Sequence, residues 1–177
     1  MASPSRSITF AVIELVDCLD RIDESSLLLL SISKDVTSVD DTHFPELIHV
    51  EQARRWIHEF PTRCWMITSE DIPIGLVMVH EPVSPGVPAG FLETGTFILK
   101  QHRGNGFAIQ AWAIAEKVLS EYCSGLAAVT WESNIASIRR LEKSQFKFEQ
   151  RVWYQSHDPK NRSGWCEVWL KSLRATA

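Results

Sequence analysis

A glycine-rich turn between a strand pattern and a long helix pattern constrains the fold of this chain more than any other feature. Residues Thr94–Leu99 are rich in β-formers, the run Arg103–Ala108 contains Gly104 and Gly106, and apolar residues recur with helical period over Phe107–Tyr122. A strand that passes through such a turn into a helix leaves backbone N–H groups unpaired at one point, in front of the positive end of the helix dipole. This arrangement predicts a site for a diphosphate, and therefore a phosphorylated cofactor.

The order of strand and helix patterns predicts one mixed α/β (α+β) domain over residues 1–177, with strands before and after a central β–α–β–α unit. The predicted elements are, in chain order, strand Ile8–Leu15, helix Asp17–Ser31, helix Glu51–Phe60, strands Cys64–Thr68, Ile74–His80 and Phe91–Leu99, helix Phe107–Tyr122, strand Ala127–Trp131, a helix that ends at Lys143, and strands Phe148–Gln155 and Trp165–Leu170.

Three details of these helices are specific enough to be tested. The buried stripe of the first helix is expected to consist of Leu19, Ile22, Leu27 and Leu30. Gly125 is expected to close the helix that follows the glycine turn. The last helix, which Ser133 and Asn134 are expected to cap, should bury Ile135 and Ile138.

Composition excludes several classes of protein. A net charge of −4 argues against a nucleic-acid binder, which needs a basic face, although it leaves room for a local basic pocket. The apolar runs are too short to span a membrane. The start of the sequence shows no secretion signal, which predicts a cytoplasmic protein. The four cysteines are scattered without a C-x-x-C pair, and the six histidines show no ligand spacing, so reduced thiols and no metal site are expected.

Among known phosphate-binding turns, one pattern fits the run Arg103–Ala108. The dinucleotide fingerprint G-x-G-x-x-G fails because its third glycine position is Ile109. The triphosphate loop G-x-x-x-x-G-K-[ST] fails because the lysine is missing. The pattern R-x-x-G-x-A is matched by Arg103, Gly106 and Ala108. A tight turn with no ligand remains the structural alternative.

With this motif the chain resembles the GNAT superfamily of acyl-coenzyme A-dependent N-acyltransferases. Residues Glu93–Leu99 are similar to the central-strand motif E-x-G-x-x-[IL] of that family, and Asn134–Phe146 is similar to its signature N-x-x-S-x-x-x-L-E-K-x-G-F. The second motif looks most like the branch that includes the ribosomal-protein N-terminal acetyltransferases. Two positions depart from the family pattern. Gln145 replaces its glycine, which suggests a non-glycine residue at positive φ, and Leu141 stands where many relatives have a thiolate-protonating tyrosine.

The resemblance implies a GNAT fold, with a central mixed, mostly antiparallel sheet that splits between strands Thr94–Leu99 and Ala127–Trp131. Acetyl-CoA is then the acyl donor, with its pantetheine arm in the split and its diphosphate on the glycine turn. The implied cofactor-binding residues are Phe97, Ile98, Leu99, Arg103, Gly104, Asn105, Gly106, Phe107, Ala108, Asn134 and Ser137.

Four side chains are candidates for the chemistry. Glu93 is the first candidate for the general base that accepts the amine proton, and His80 is the second. Ser137 could donate a proton to the departing thiolate. Each has a structural alternative: a salt bridge or solvated charge for Glu93, a strand-edge histidine for His80 and a helix-surface serine for Ser137. For Asn134, a plain N-cap competes with cofactor contact. Two further residues that could line the acceptor groove are Glu149 and Tyr154.

The resulting hypothesis is a cytosolic enzyme that transfers an acetyl group from acetyl-CoA to a primary amine by direct attack in a ternary complex, since no cysteine lies in a motif for a covalent intermediate. The acceptor is a protein N-terminus or a small amine, and the acidic segment Asp35–Glu46 favours a cationic one. A homodimer is compatible with the sequence. The alternative is a non-catalytic module that binds acyl-coenzyme A and senses it.

Overall fold

The computed structural model describes residues 12–35, 47–155 and 163–173. Within these ranges seven strands form one sheet in the spatial order β1-β2-β3-β4-β5-β7-β6. The strands are β1 Ile13–Asp17, β2 Arg63–Ser69, β3 Ile72–His80, β4 Phe91–Ile98, β5 Gly125–Trp131, β6 Lys147–Tyr154 and β7 Gly164–Ser172. All neighbouring strands are antiparallel except β4 and β5, which are parallel. The predicted mixed α/β fold with a mostly antiparallel sheet is confirmed.

Helices cover both faces of the sheet. In the described residues the α-helices are α1 Ile22–Ser33, α2 Val50–Glu59, α3 Phe107–Leu119 and α4 Ile135–Lys143. Helices α1 and α2 pack on one face in one apolar cluster, and α3 and α4 contribute to a second cluster on the other face. Strand β3 alternates between them, since Leu76 and Met78 belong to the first cluster and Val77 and Val79 to the second. Burial on both faces explains its continuous apolar run.

Half of the predicted buried stripe of α1 is wrong, whereas Ile22 and Leu30 are partly buried against the α1–α2 cluster. Leu19 lies before the helix and is 53% exposed, and Leu27 is 61% exposed. The buried apolar residues are Leu28, Leu29 and Ile32. Four consecutive leucines in this helix allow several stripes of helical period, and only the packing against α2 and β3 selects one of them.

The prediction that Gly125 closes α3 is also wrong. The helix ends at Leu119, and Gly125 is the first residue of β5. A β-carbon at Gly125 would lie 2.4 Å from the Phe91 ring and 2.6 Å from the carbonyl oxygen of Lys171. This glycine therefore allows close approach of neighbouring strands and is not a helix cap.

Helix α4 ends in the way that was expected from Gln145, which replaces the glycine of the family motif. Gln145 has φ 65°, Phe146 N–H donates to Leu141 O at 3.0 Å, and Gln145 N–H donates to Glu142 O at 3.0 Å. This is a left-handed helix end formed without glycine, so the prediction of a non-glycine residue at positive φ is confirmed. The prediction that Ile135 is buried is wrong, because the helix turns Leu141 inward and leaves Ile135 51% exposed.

The remaining boundaries shift by a few residues. Strand β1 is observed at Ile13–Asp17 and not at Ile8–Leu15; residues 8–11 lie outside the described ranges. All four cysteines are buried with free thiols. No helix among the described residues is long and apolar enough to cross a membrane.

Candidate functional site

The parallel strands β4 and β5 separate after a short paired stretch. They are paired at Phe91–Gly125, Leu92–Leu126 and Glu93–Ala127. Beyond this point β4 continues to pair only with β3, and β5 only with β7. The predicted split of the sheet is therefore present, and it is closed at the Glu93–Ala127 end and open toward Ile98 and Trp131.

A cleft of about 480 Å³ lies at this split and passes through the sheet. On the α1–α2 side its wall includes Met78, His80 and Phe97. On the other side it reaches the first turn of α3, the strand positions Thr94, Thr96 and Thr130, and one face of α4. Side chains on both faces of the sheet thus border a group bound in the split.

The glycine turn forms the open end of the cleft. Gly104 and Gly106 have φ values of 82° and 78°, and a β-carbon built on either would have no atom of the described residues within 4 Å. Gly106 is the N-cap of α3 and supplies no side-chain acceptor to the first N–H groups of the helix. The turn therefore presents free amides to empty space, as an anion site requires.

The cleft collects most of the predicted cofactor-binding residues. All of them line it except Leu99 and Asn105. Leu99 packs at the edge of the α1–α2 cluster, and the Asn105 side chain donates to His102 O at 3.2 Å. The cleft thus brings nine of the eleven predicted residues together, and their role in cofactor binding stays a prediction.

Arg103 lines the cleft, and its guanidinium already forms an ion pair with a protein carboxylate. Its Nη2 lies 2.8 Å from an Asp35 carboxylate oxygen, and its Nε donates to Ile98 O at 2.8 Å. Asp35 is the first residue of the predicted acidic segment; residues 36–46 lie outside the described ranges. Arg103 therefore fixes the glycine turn against β4, and Asp35 neutralises part of the charge it could offer to phosphates.

On α4, Asn134 is an N-cap and Ser137 faces the cleft. The Asn134 Oδ1 accepts a hydrogen bond from Ser137 N–H at 3.0 Å. This is the structural alternative that the sequence left open, and because it uses only the carbonyl oxygen, the amide nitrogen stays available to a ligand. Ser137 is half-buried in the cleft wall, so its hydroxyl can reach a bound group.

Glu93 is buried at the closed end of the split and holds the 81–90 loop. One carboxylate oxygen accepts from Val83 N–H and Ser84 N–H, both at 3.1 Å, and the other accepts from the Ser84 hydroxyl at 2.6 Å. The side chain is only 7% exposed and does not line the cleft. Three hydrogen bonds to the charged form make Glu93 an anchor for this loop.

His80, the register partner of Glu93 on β3, does line the cleft. Its Nδ1 lies 2.7 Å from the carbonyl oxygen of Glu81, and its ring centroid lies 4.8 Å from that of Phe60. Because a carbonyl can only accept, Nδ1 carries the proton in the neutral ring and Nε2 is left as an acceptor. The imidazole is thus held in the tautomer that can receive a proton.

Sequence reasoning missed the cations on α4. Arg139, Arg140 and Lys143 all line the cleft. Arg140 Nη1 has no exposed surface and no hydrogen-bond partner among the described residues, and burial lowers the pKa of its guanidinium to about 10. The Arg-Arg pair within the predicted helix was the available signal, but its burial depends on how α4 packs.

The two residues predicted to line the acceptor groove lie elsewhere. Glu149 is exposed on β6, and Tyr154 packs edge-on against Trp131 with ring centroids 5.9 Å apart. Neither lines the cleft. Within the described ranges, no group of three or more His, Cys, Asp or Glu side chains could hold a metal ion.

Comparison with solved structures shows the same fold in other proteins. A GNAT-family protein from Chromobacterium violaceum aligns with a TM-score of 0.73 and 16% identity over 97% of this chain and 88% of its own. RimL, the ribosomal L7/L12 alpha-N-protein acetyltransferase solved with coenzyme A, aligns at 0.72 and 11% identity over 94% and 96%. The protein yncA of Salmonella typhimurium, solved with acetyl-CoA, aligns at 0.71 and 11% identity over 96% and 97%.

Sequence comparison adds the family. No curated protein sequence matches this chain. The family model described as the acetyltransferase (GNAT) domain matches residues 21–147, which include β2–β5, the glycine turn and α4. This match spans well over half of the chain, and the split sheet and glycine turn lie inside it. The chain therefore belongs to the GNAT acetyltransferase family.

Proposed function

We propose that this protein is an N-acetyltransferase that transfers the acetyl group of acetyl-CoA to a primary amine by direct attack in a ternary complex. The observation that carries the proposal is the cleft that passes through the split sheet. It joins a glycine turn with free amides at one end to a buried histidine on the opposite face. A donor can enter from the α3 side while an amine reaches it from the α1–α2 side.

The residues around the split suit the two parts of the donor. The backbone N–H groups from Gly104 to Ala108 would bind the diphosphate. Beyond Glu93, β4 has no strand partner on its β5 side among the described residues, so the backbone groups of Thr94 to Thr96 that face away from β3 are available to the amides of a pantetheine arm. Asn134 and Ser137 would border the arm from α4.

The reaction forms a C–N bond and breaks a C–S bond. The amine nitrogen attacks the thioester carbon, and the electron pair of the broken bond leaves on sulfur. We assign the removal of the amine proton to His80 Nε2, because Nδ1 is fixed by Glu81 and the ring lines the cleft. The assignment of this role to Glu93 stays a prediction, and its carboxylate would have to release part of its contacts with Val83 and Ser84 to act.

The acceptor is a protein N-terminus or a small amine, and we place the reaction in the cytoplasm. The similarity in fold to RimL, which is named for acetylating a ribosomal protein, favours including N-terminal peptides in any screen. The test is release of free thiol from acetyl-CoA across a panel of peptides and small amines. Turnover with at least one primary amine is expected. Binding of acetyl-CoA without turnover of any amine would favour the non-catalytic module.

A further inference from the structure

Arg140 places a half-buried cation in the cleft wall, and the described residues form no ion pair with it. It lies on α4, its Nη1 is excluded from solvent, and the described residues offer this atom no acceptor. Buried polar atoms in folded proteins nearly always have a partner, and a guanidinium nitrogen without one calls for an explanation. At neutral pH the group stays protonated even with its pKa lowered to about 10 by burial.

Among the described residues that line the cleft, Arg140 is accompanied by cations and not by a carboxylate. Asp35 pairs with Arg103 from outside this lining. The side chains that line the cleft include Arg103, Arg139 and Lys143, and no Asp or Glu. Two acids on adjoining segments are used elsewhere, since Glu116 of α3 pairs with Lys171, and Glu132, just before α4, pairs with Arg151. Because the chain as a whole carries a net charge of −4, this concentration of positive charge is local. It is complementary to an anion bound in the cleft.

The strand register shows where Arg140 lies between the open and the closed end of the split. The chain leaves β5 at Trp131, and Asn134 N–H still bonds to Trp131 O at 2.9 Å. It re-enters the sheet at Lys147, which pairs with Leu170 of β7, and Leu170 also pairs with Ala127 of β5. Helix α4 therefore runs back from the open end of the split toward its closed end.

Arg140 is six residues beyond Asn134, which is about 9 Å along a helix axis. The diphosphate would lie at the open end, on the glycine turn. The thioester end of the donor therefore points toward the closed end, where Arg140 is placed. Ser137, one turn earlier on α4, can offer a hydrogen bond to the sulfur but no charge.

We propose that Arg140 is a further catalytic residue, whose guanidinium stabilises the thiolate that leaves when the amine displaces it. The assignment rests on the proposed function. As the C–N bond forms and the C–S bond breaks, the electron pair moves to sulfur, and the fixed positive charge of Arg140 lowers the energy of that anion. The amine proton leaves through His80, and solvent later protonates the thiolate, so Arg140 need not give up a proton.

The experiment measures thiolate binding directly and needs no acceptor. Calorimetry between pH 7 and pH 9.5 gives the affinities for coenzyme A and for acetyl-CoA, which lacks the free thiol. If Arg140 lowers the thiol pKa in the complex, the affinity for coenzyme A rises relative to that for acetyl-CoA as pH rises, by up to about tenfold for each unit of lowering. Arg140→Met should lose this rise, and Arg140→Lys should keep part of it.

Arg55→Met is the matched control, because it removes the same charge from an exposed position on α2 that does not line the cleft. It should keep the pH-dependent rise. Equal loss in both variants, or no rise in the wild type, overturns the proposal for Arg140 while leaving the acetyltransferase proposal intact. If Arg140→Met weakens binding of coenzyme A but not of 3′-dephospho-coenzyme A, Arg140 binds the nucleotide phosphate and the proposal is wrong. Failure of the wild type to bind coenzyme A at all overturns the proposed function itself.

Discussion

At the scale of single residues, two charges at the split are stabilised in opposite ways. Glu93 receives three hydrogen bonds from the 81–90 loop, whereas Arg140 Nη1 receives no compensation from the described residues. The first arrangement stabilises the folded protein, and the second costs stability until an anion binds. Glu93 therefore serves the stability of the fold, whereas the charge of Arg140 is suited to binding an anion.

Replacement of Glu93 by alanine should destabilise the fold. The variant leaves the N–H groups of Val83 and Ser84 and the Ser84 hydroxyl without their acceptor in a buried place. We expect the free energy of unfolding in urea to fall by about 2–4 kcal/mol. Thr68→Ala, another buried polar residue on the sheet but away from the loop, is the control. A loss for Glu93→Ala no larger than that of the control would contradict the anchoring role.

The two candidate bases can be separated by their pH–rate profiles. His80→Gln should remove the limb of kcat/KM that rises with pH and should lower turnover by about 10²–10⁴-fold, because the imidazole that lines the cleft beside the closed end of the split is lost. Glu93→Gln keeps an oxygen for the loop N–H groups, and it should retain that limb. The opposite pattern would transfer the role of base to Glu93.

Arg140→Met should stabilise the unliganded protein. The substitution removes a desolvated charge and keeps an unbranched chain of similar length, so we expect the free energy of unfolding at pH 7 to rise by about 1–2 kcal/mol. Chemical denaturation without ligand is the measurement. An unchanged or lower stability would mean that the wild-type guanidinium is compensated.

At the scale of elements, a substitution in the glycine turn can have two effects: it can strain the backbone, and it can block the ligand. A matched control separates these effects. Gly106→Ala should lower the affinity for coenzyme A at least about tenfold, because the new methyl group occupies the space in front of the free amides. Gly90 has a similar φ of 81° but lies outside the cleft, so Gly90→Ala is the matched control for strain. Both variants should lose similar stability in thermal unfolding, and only Gly106→Ala should lose affinity. Equal affinities would contradict a diphosphate site at the turn.

The end of α4 offers a stabilising substitution. Gln145 holds φ 65° at the position after the helix, where glycine has no steric cost. Gln145→Gly should raise the free energy of unfolding by about 1 kcal/mol, measured by urea denaturation. Gln150→Gly, at an exposed position inside β6, should lower it instead. A decrease for Gln145→Gly would show that the side chain stabilises the helix end in another way.

Some elements could be predicted from the sequence because the information is local. Glycine turns, apolar periodicity and motif spacing predicted β4, the turn, α3 and α4 within a few residues. The stripe of α1 and the role of Gly125 could not be predicted this way. A run of leucines fits several faces of a helix, and a glycine that relieves a clash with Phe91 looks the same in sequence as a helix cap.

At the scale of the whole molecule, the site is made by contacts between distant segments. Resemblance to a family predicted the split of the sheet, and the structure shows it in the register between β4 and β5. The engagement of Glu93 by the 81–90 loop and the burial of Arg140 depend on the packing of segments far apart in sequence. No local pattern records such contacts, which is why the sequence could not predict how Glu93 and Arg140 are held.

The most direct test of the account is a crystal structure of the protein with acetyl-CoA. The account predicts diphosphate oxygens within hydrogen-bond distance of the N–H groups between Gly104 and Ala108. The pantetheine arm should lie between β4 and β5, with the sulfur near Ser137 and Arg140. Density for the donor at any other place, with the split unoccupied, would contradict it.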